Sequence, residues 1–154
     1  ENKISSATNP TGNADVVKKQ MVGSGGINAS KQTGTVWDIT TGTADNIPNT
    51  NIPTTFKIDL DSKINYVNPQ TGTSTLWTNT NATKHMGEYI SRFGGETAST
   101  GVRSQVMLES YQVALNQAMK EVSLLSPGRY FGNYANWEIG INTETGVVYH
   151  ALMN

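Results

Sequence analysis

The chain has 154 residues, 12 acidic and 11 basic side chains and a net charge of −1, so no global basic field steers it to nucleic acid and any polyanion site has to be local. Only 36% of the residues are hydrophobic and 15% are charged; the balance is Thr, Asn, Ser and Gly, which favours a turn-rich, β-containing fold with a hydrogen-bonding surface. The absence of cysteine excludes a disulfide frame, a thiolate metal site and a cysteine nucleophile, and no apolar run approaches the ~20 residues of a membrane-spanning helix.

Residues 1–12 are polar and read as a flexible segment. They lack the apolar stretch of a signal peptide, so the chain reads as a mature domain or a piece of a longer protein. A single domain is expected over 13–154. "NADVVKKQM" predicts a short helix with Asn13 as N-cap, closed by Gly23 to Gly26. "TVWDIT" predicts a strand, and "ADNIPNTNIPTT", with Pro48 and Pro53, a loop. In "TFKIDLD", Phe56, Ile58 and Leu60 alternate with Lys57 and Asp59, which predicts a strand. "KINYV-NPQTG-TSTLWT" predicts a hairpin, with Pro69 fixing φ and Gly72 left-handed.

"KHMGEYISRF" predicts a short helix, and "GGETASTG" a loop ending in a cap at Ser99 or Thr100. The strongest helix is "VRSQVMLESYQVALNQAMKEVSLL". Met107, Tyr111, Ala114, Ala118 and Val122 form its apolar stripe, widened by Leu108, Leu115 and Met119, and Pro127 and Gly128 stop it. "NWEIGIN-TETG-VVYHALMN" predicts a second hairpin, with Trp137, Ile139 and Ile141 on one face. The fold class expected is α+β: an N-terminal helix, then a short and a long helix packed on an antiparallel sheet that ends in a C-terminal β-hairpin.

Metal and phosphate-loop chemistry finds no motif. The two histidines are 65 positions apart (150 minus 85) without an acidic cluster. Asp59 and Asp61 lack the Gly and Glu of a calcium loop. "GSGGI" lacks the Lys-Ser/Thr of a phosphate loop, and no Gly-x-Ser-x-Gly elbow occurs. No metal or cofactor is expected.

What remains is His85, His150 and the cations around them. Cleaving RNA through its own 2′-hydroxyl needs a base, an acid and a cation on the phosphate. Histidine suits the proton roles and arginine the phosphate. The candidate catalytic residues are His85, His150, Arg103 and Arg92. Lys84, Thr100, Tyr149 and Glu138 are candidate substrate contacts. Alternatively, His85 is a helix-capping surface residue and His150 a half-buried strand residue. Hairpin register bears on the choice. A four-residue "TETG" loop pairs Asn142 with Val147 and sets His150 opposite Ile139. A three-residue loop with a bulge at Gly146 sets it opposite Gly140, beside Glu138, which becomes an orienting partner or base. That second register turns His150 into a cleft shared with His85 and away from the long helix.

The segment "TKHMGEYISRF…TASTGVRSQVMLESYQVALNQAM" resembles the RNase A-like toxin domains at the C-termini of bacterial contact-dependent inhibition proteins of the CdiA type. The matching pieces are His85-Met86-Gly87 opening a helix, Arg92 after it, and Ser99-Thr100 before a long Ala-rich helix. A final strand carries His150-Ala151-Leu152 where that family has Thr-x-Tyr. The wider barnase- and EndoU-like toxin RNases are similar too, with a helix-then-sheet plan and a histidine on a late strand. The resemblance implies a ribonuclease that cuts tRNA or rRNA, delivered from a producing bacterium into a target-cell cytoplasm, with an immunity protein as partner. The competing expectation is a non-enzymatic extracellular adhesin or pilin-like module, which the Thr/Asn/Gly content fits equally.

Overall fold

A computed structural model describes residues 34–43 and 45–154; the predicted helix at 13–21 and the glycines at 23–26 lie outside them. Among the described residues six strands form one sheet: β1 (Thr40–Gly42), β2 (Phe56–Asp59), β3 (Thr75–Thr78), β4 (Arg129–Tyr134), β5 (Trp137–Asn142) and β6 (Val147–Met153). Between β3 and β4 come the short helices α1 (Thr80–Thr83) and α2 (Met86–Tyr89) and the long helix α3 (Thr100–Val122). The architecture is α+β.

The sheet order is β1-β2-β3-β6-β5-β4. Two antiparallel meanders, one before the helices and one after, meet where β3 runs parallel to β6. The sheet is therefore antiparallel except at this seam, which has two registered pairs, Trp77 with Val147 and Thr78 with Val148. The long helical connection between the meanders supplies the length a parallel pairing requires.

Helix α3 starts where Ser99 Oγ accepts the amide of Val102, an N-cap that satisfies one orphan donor. It ends three residues earlier than the sequence suggests, and Leu124 and Leu125 are exposed. Its predicted stripe is the buried one, from Met107 through Val122. The stripe packs on one face of the sheet around four rings. Tyr111 meets Phe56 and Trp137 edge-on, with centroids 6.0 and 5.3 Å apart, and Tyr89 meets Trp137 at 6.1 Å. The polar ends of the buried rings are partnered. Tyr111 Oη is 2.9 Å from Thr78 Oγ1, and Trp137 Nε1 donates to Ser110 Oγ.

Three elements differ from expectation. "TVWDIT" begins as a 3-10 turn over Val36–Ile39, with the strand only at Thr40–Gly42. Thr35 Oγ1 accepts from Trp37 N and Asp38 accepts from Gly34 N, local bonds that compete with a ladder. The hairpin expected at 63–78 keeps its turn, with Gly72 left-handed, but loses its first arm. Thr75–Thr78 pairs with Phe56–Asp59 instead. Residues 60–67 swing aside: Asp61 N donates to Asn116 Oδ1 of α3 and Tyr66 Oη to the Thr143 carbonyl. Third, "RYFGNY", for which the sequence predicts no element, forms the edge strand β4.

Candidate functional site

The site grows from one irregularity in the last hairpin. The "TETG" turn has the four-residue form, with Asn142 opposite Val147 and Ile141 opposite Val148. The ladder then slips, and His150 lies opposite Gly140 instead of Ile139. Tyr149 is the extra residue, so the bulge sits in the strand and not at Gly146. A bulge leaves its residue out of the ladder, and the spare Tyr149 carbonyl accepts from Asn81 Nδ2 of α1 at 2.7 Å.

The slip decides where His150 points. Val148 and Ala151 stay on the buried face with Ile141 and Ile139. His150 turns to the opposite face, away from α3, with Glu138 on the neighbouring strand. His150 Nε2 and Glu138 Oε1 are 3.0 Å apart; the side chains are 32% and 31% exposed, so the pair is neither buried nor fully hydrated. The register is thus the one that makes Glu138 a partner, reached through a bulge at a different residue.

Gly140 is the floor of this face. A Cβ there would stand 2.8 Å from two carbons of the Tyr149 ring, closer than packed atoms allow, and a tight 3.1 Å from His150 Cβ. Its hydrogen lets both side chains lie across β5. Edge strand β4 adds the other wall. The Phe131 ring packs on the imidazole with centroids 4.9 Å apart, and the Arg129 guanidinium lies 5.1 Å from the Tyr149 ring centre. The Arg129 side chain makes no hydrogen bond among the described residues, so the donors at the edge of its plane are open.

The other sequence-derived candidates have other partners. His85 precedes α2 and pairs its Nδ1 with Glu88 at 3.2 Å; it occupies the N-cap position without making the capping bond. The two histidines have separate partners, Glu88 for His85 and Glu138 and Phe131 for His150, and neither is a hydrogen-bond or ring partner of the other. Arg103 corrects an expectation. Its five N–H groups donate to five backbone carbonyls, those of Ala98, Ser91, Phe93, Gly95 and Glu96. A guanidinium has five N–H donors, so none remains for phosphate; Arg103 is a loop clamp. Arg92 lies over the Tyr89 ring at 5.2 Å. Lys84 is an exposed helix C-cap and Thr100 the first residue of α3.

Sequence reasoning missed Arg129, Phe131 and Asn81. For the first two the signal was present, because "RYFGNY" alternates Arg129, Phe131 and Asn133 against Tyr130 and Tyr134. Among the described residues no three or more His, Asp or Glu side chains form a metal-binding group, and no helix is long and apolar enough to cross a membrane. Compared with known proteins, the chain matches no protein-family model, and no curated protein shows significant similarity to it.

Proposed function

We propose that this domain is a ribonuclease that cleaves RNA by transphosphorylation, with Glu138 as general base and His150 as general acid. The observation that carries the reading is the 3.0 Å contact between Glu138 and His150 on the open face of the sheet. When the imidazole is protonated, the pair holds both groups in the states the reaction starts from.

The Glu138 carboxylate takes the 2′-hydroxyl proton, the 2′ oxygen bonds to phosphorus, and the bond from phosphorus to the 5′ oxygen breaks. His150 gives its proton to that 5′ oxygen. The products are a 2′,3′-cyclic phosphate and a free 5′-hydroxyl. The proton now on Glu138 returns to His150 along the hydrogen bond that joins them, which restores the starting pair. Arg129, with free donors beside Tyr149, meets the charge that develops on the phosphate. The reaction calls for no metal. The wider role is that of a bacterial toxin domain, secreted and delivered into a target-cell cytoplasm to cut tRNA or rRNA, with an immunity protein covering the Glu138–His150 face. The support for this wider role is the resemblance of residues 83–154 to contact-dependent inhibition toxins.

The test is cleavage of a dye-labelled RNA by purified protein, with the product ends identified. His150→Ala and Glu138→Gln are expected to lose about 10²–10⁴-fold in rate, the span of a general acid or base, while His85→Ala stays within about twofold because its contacts lie apart from the pair. Full activity in a folded His150→Ala variant removes this mechanism. Expression of the wild-type domain in a bacterial cytoplasm is expected to arrest growth; an adhesin module leaves growth unchanged.

A further inference from the structure

Phe131 is an exposed aromatic residue on the edge strand, 57% accessible to solvent, in a sheet whose other large rings are buried or half-buried. Its position is specific. Phe131, Gly140 and His150 form one rung across β4, β5 and β6. The ring packs on the imidazole with centroids 4.9 Å apart and planes at 37°, and more than half of the residue stays open. Arg129 is two residues away on the same face of β4, about 6.6 Å along the strand.

We infer that Phe131 is a nucleobase platform, and that the substrate is therefore an unpaired RNA strand. The inference rests on the ribonuclease reading and adds the substrate class to it. A base flanking the scissile phosphate reaches Phe131 when that phosphate lies between Arg129 and the Glu138–His150 pair. Aromatic side chains on an open sheet face hold single-stranded bases by stacking. In a duplex both faces of each base are covered by its neighbours and its edge by its partner, so a paired base offers no face to the ring. Charge selects a nucleotide over an apolar peptide here, since the cation two residues from the ring complements phosphate. The platform also touches the acid directly, so seating the base fixes the imidazole against Glu138 as the phosphate arrives.

The experiment uses a short dye-labelled oligoribonucleotide whose 2′ oxygens are methylated, which binds but cannot react, as a single strand and as a duplex. Fluorescence anisotropy reports binding, and an unmethylated strand reports cleavage in parallel. The single strand is expected to bind at least about tenfold tighter than the duplex. Phe131→Leu is expected to weaken single-strand binding about tenfold and Phe131→Tyr to keep it within about twofold, since stacking needs a ring and not a hydroxyl. Equal affinity for both forms, undiminished binding by Phe131→Leu, or no binding of either form overturns the platform, even if the wild type cleaves RNA. The expected binding pattern without cleavage overturns the ribonuclease reading and leaves the platform standing.

Discussion

Arg103 shows how far a single side chain can depart from what its type suggests. A basic residue beside a Gly-rich loop looks like a phosphate ligand. Here its fork closes the loop upon itself, through carbonyls spread from Ser91 to Ala98. Removing it orphans several carbonyls at once. Arg103→Ala is expected to lower stability by about 2–3 kcal/mol in denaturant titration, with cleavage per folded molecule unchanged. Arg103→Lys is expected to rescue little, because an ammonium has three donors and no fork. A selective loss of cleavage at full stability contradicts the clamp. Nothing in the sequence distinguishes a spent guanidinium from a free one. Arg129 directly follows Gly128 and Arg103 stands two residues after Gly101, and it is the tertiary path of residues 91–98 that consumes the donors of one and not of the other.

At the level of elements, the hairpin was legible in type but not in detail. The alternation of Trp137, Ile139 and Ile141 gives the buried face, and Thr-Glu-Thr-Gly gives a turn. The slip at Tyr149 arises from the missing Cβ of Gly140 and from a donor 68 positions away, Asn81, and neither enters a periodicity. Asn81 is thus a positioning residue for His150. Asn81→Ala is expected to cut kcat for RNA cleavage several-fold with KM little changed, and to cost under about 1 kcal/mol of stability, since one solvent-facing hydrogen bond is lost. Asn81→Asp is expected to behave the same way, because a carboxylate has no proton for the Tyr149 carbonyl. Unchanged kcat in both variants means the bulge holds without α1. The short first strand was misread for a related reason: Thr35 and Asp38 bond to nearby amides and turn the chain before the ladder can form.

Across the whole molecule, the α3 stripe and the sheet share a core whose centre is a phenol. Burial pushes the Tyr111 hydroxyl well above its ordinary value, partly offset by its bond to Thr78. The folded state therefore keeps this proton where the unfolded chain, titrating near 10, releases it. The sign follows: the stability this group carries is complete below about pH 10 and falls by up to about 1.4 kcal/mol per pH unit above it. Tyr66, Tyr89 and Tyr134 are raised in the same direction by burial and add to the alkaline loss. Tyr111→Phe is expected to be about 1 kcal/mol less stable at neutral pH, where Thr78 loses its partner, yet to lose stability less steeply above pH ~10. Parallel alkaline slopes for the two proteins in urea titrations refute this.

The parallel seam between β3 and β6 has a consequence for how fast the protein comes apart. Each meander closes through contacts near in sequence, whereas the seam joins residues about 70 positions apart (147 minus 77), and such pairings bear the larger loop-closure cost. The seam is thus expected to be unmade at the folding barrier. Asn68 straddles it: buried, it donates to the Thr75 carbonyl on one side and the Gly146 carbonyl on the other. Asn68→Ala takes a buried donor from both carbonyls, of which Gly146 keeps the amide of Trp77, a loss of about 2 kcal/mol. In stopped-flow chevrons that loss is expected to fall almost wholly on unfolding, roughly 30-fold faster, with the refolding limb unmoved. A slowed refolding limb would place the seam in the nucleus. If the refolding limb holds still, the lifetime of the folded state is set at one side-chain amide between two half-sheets.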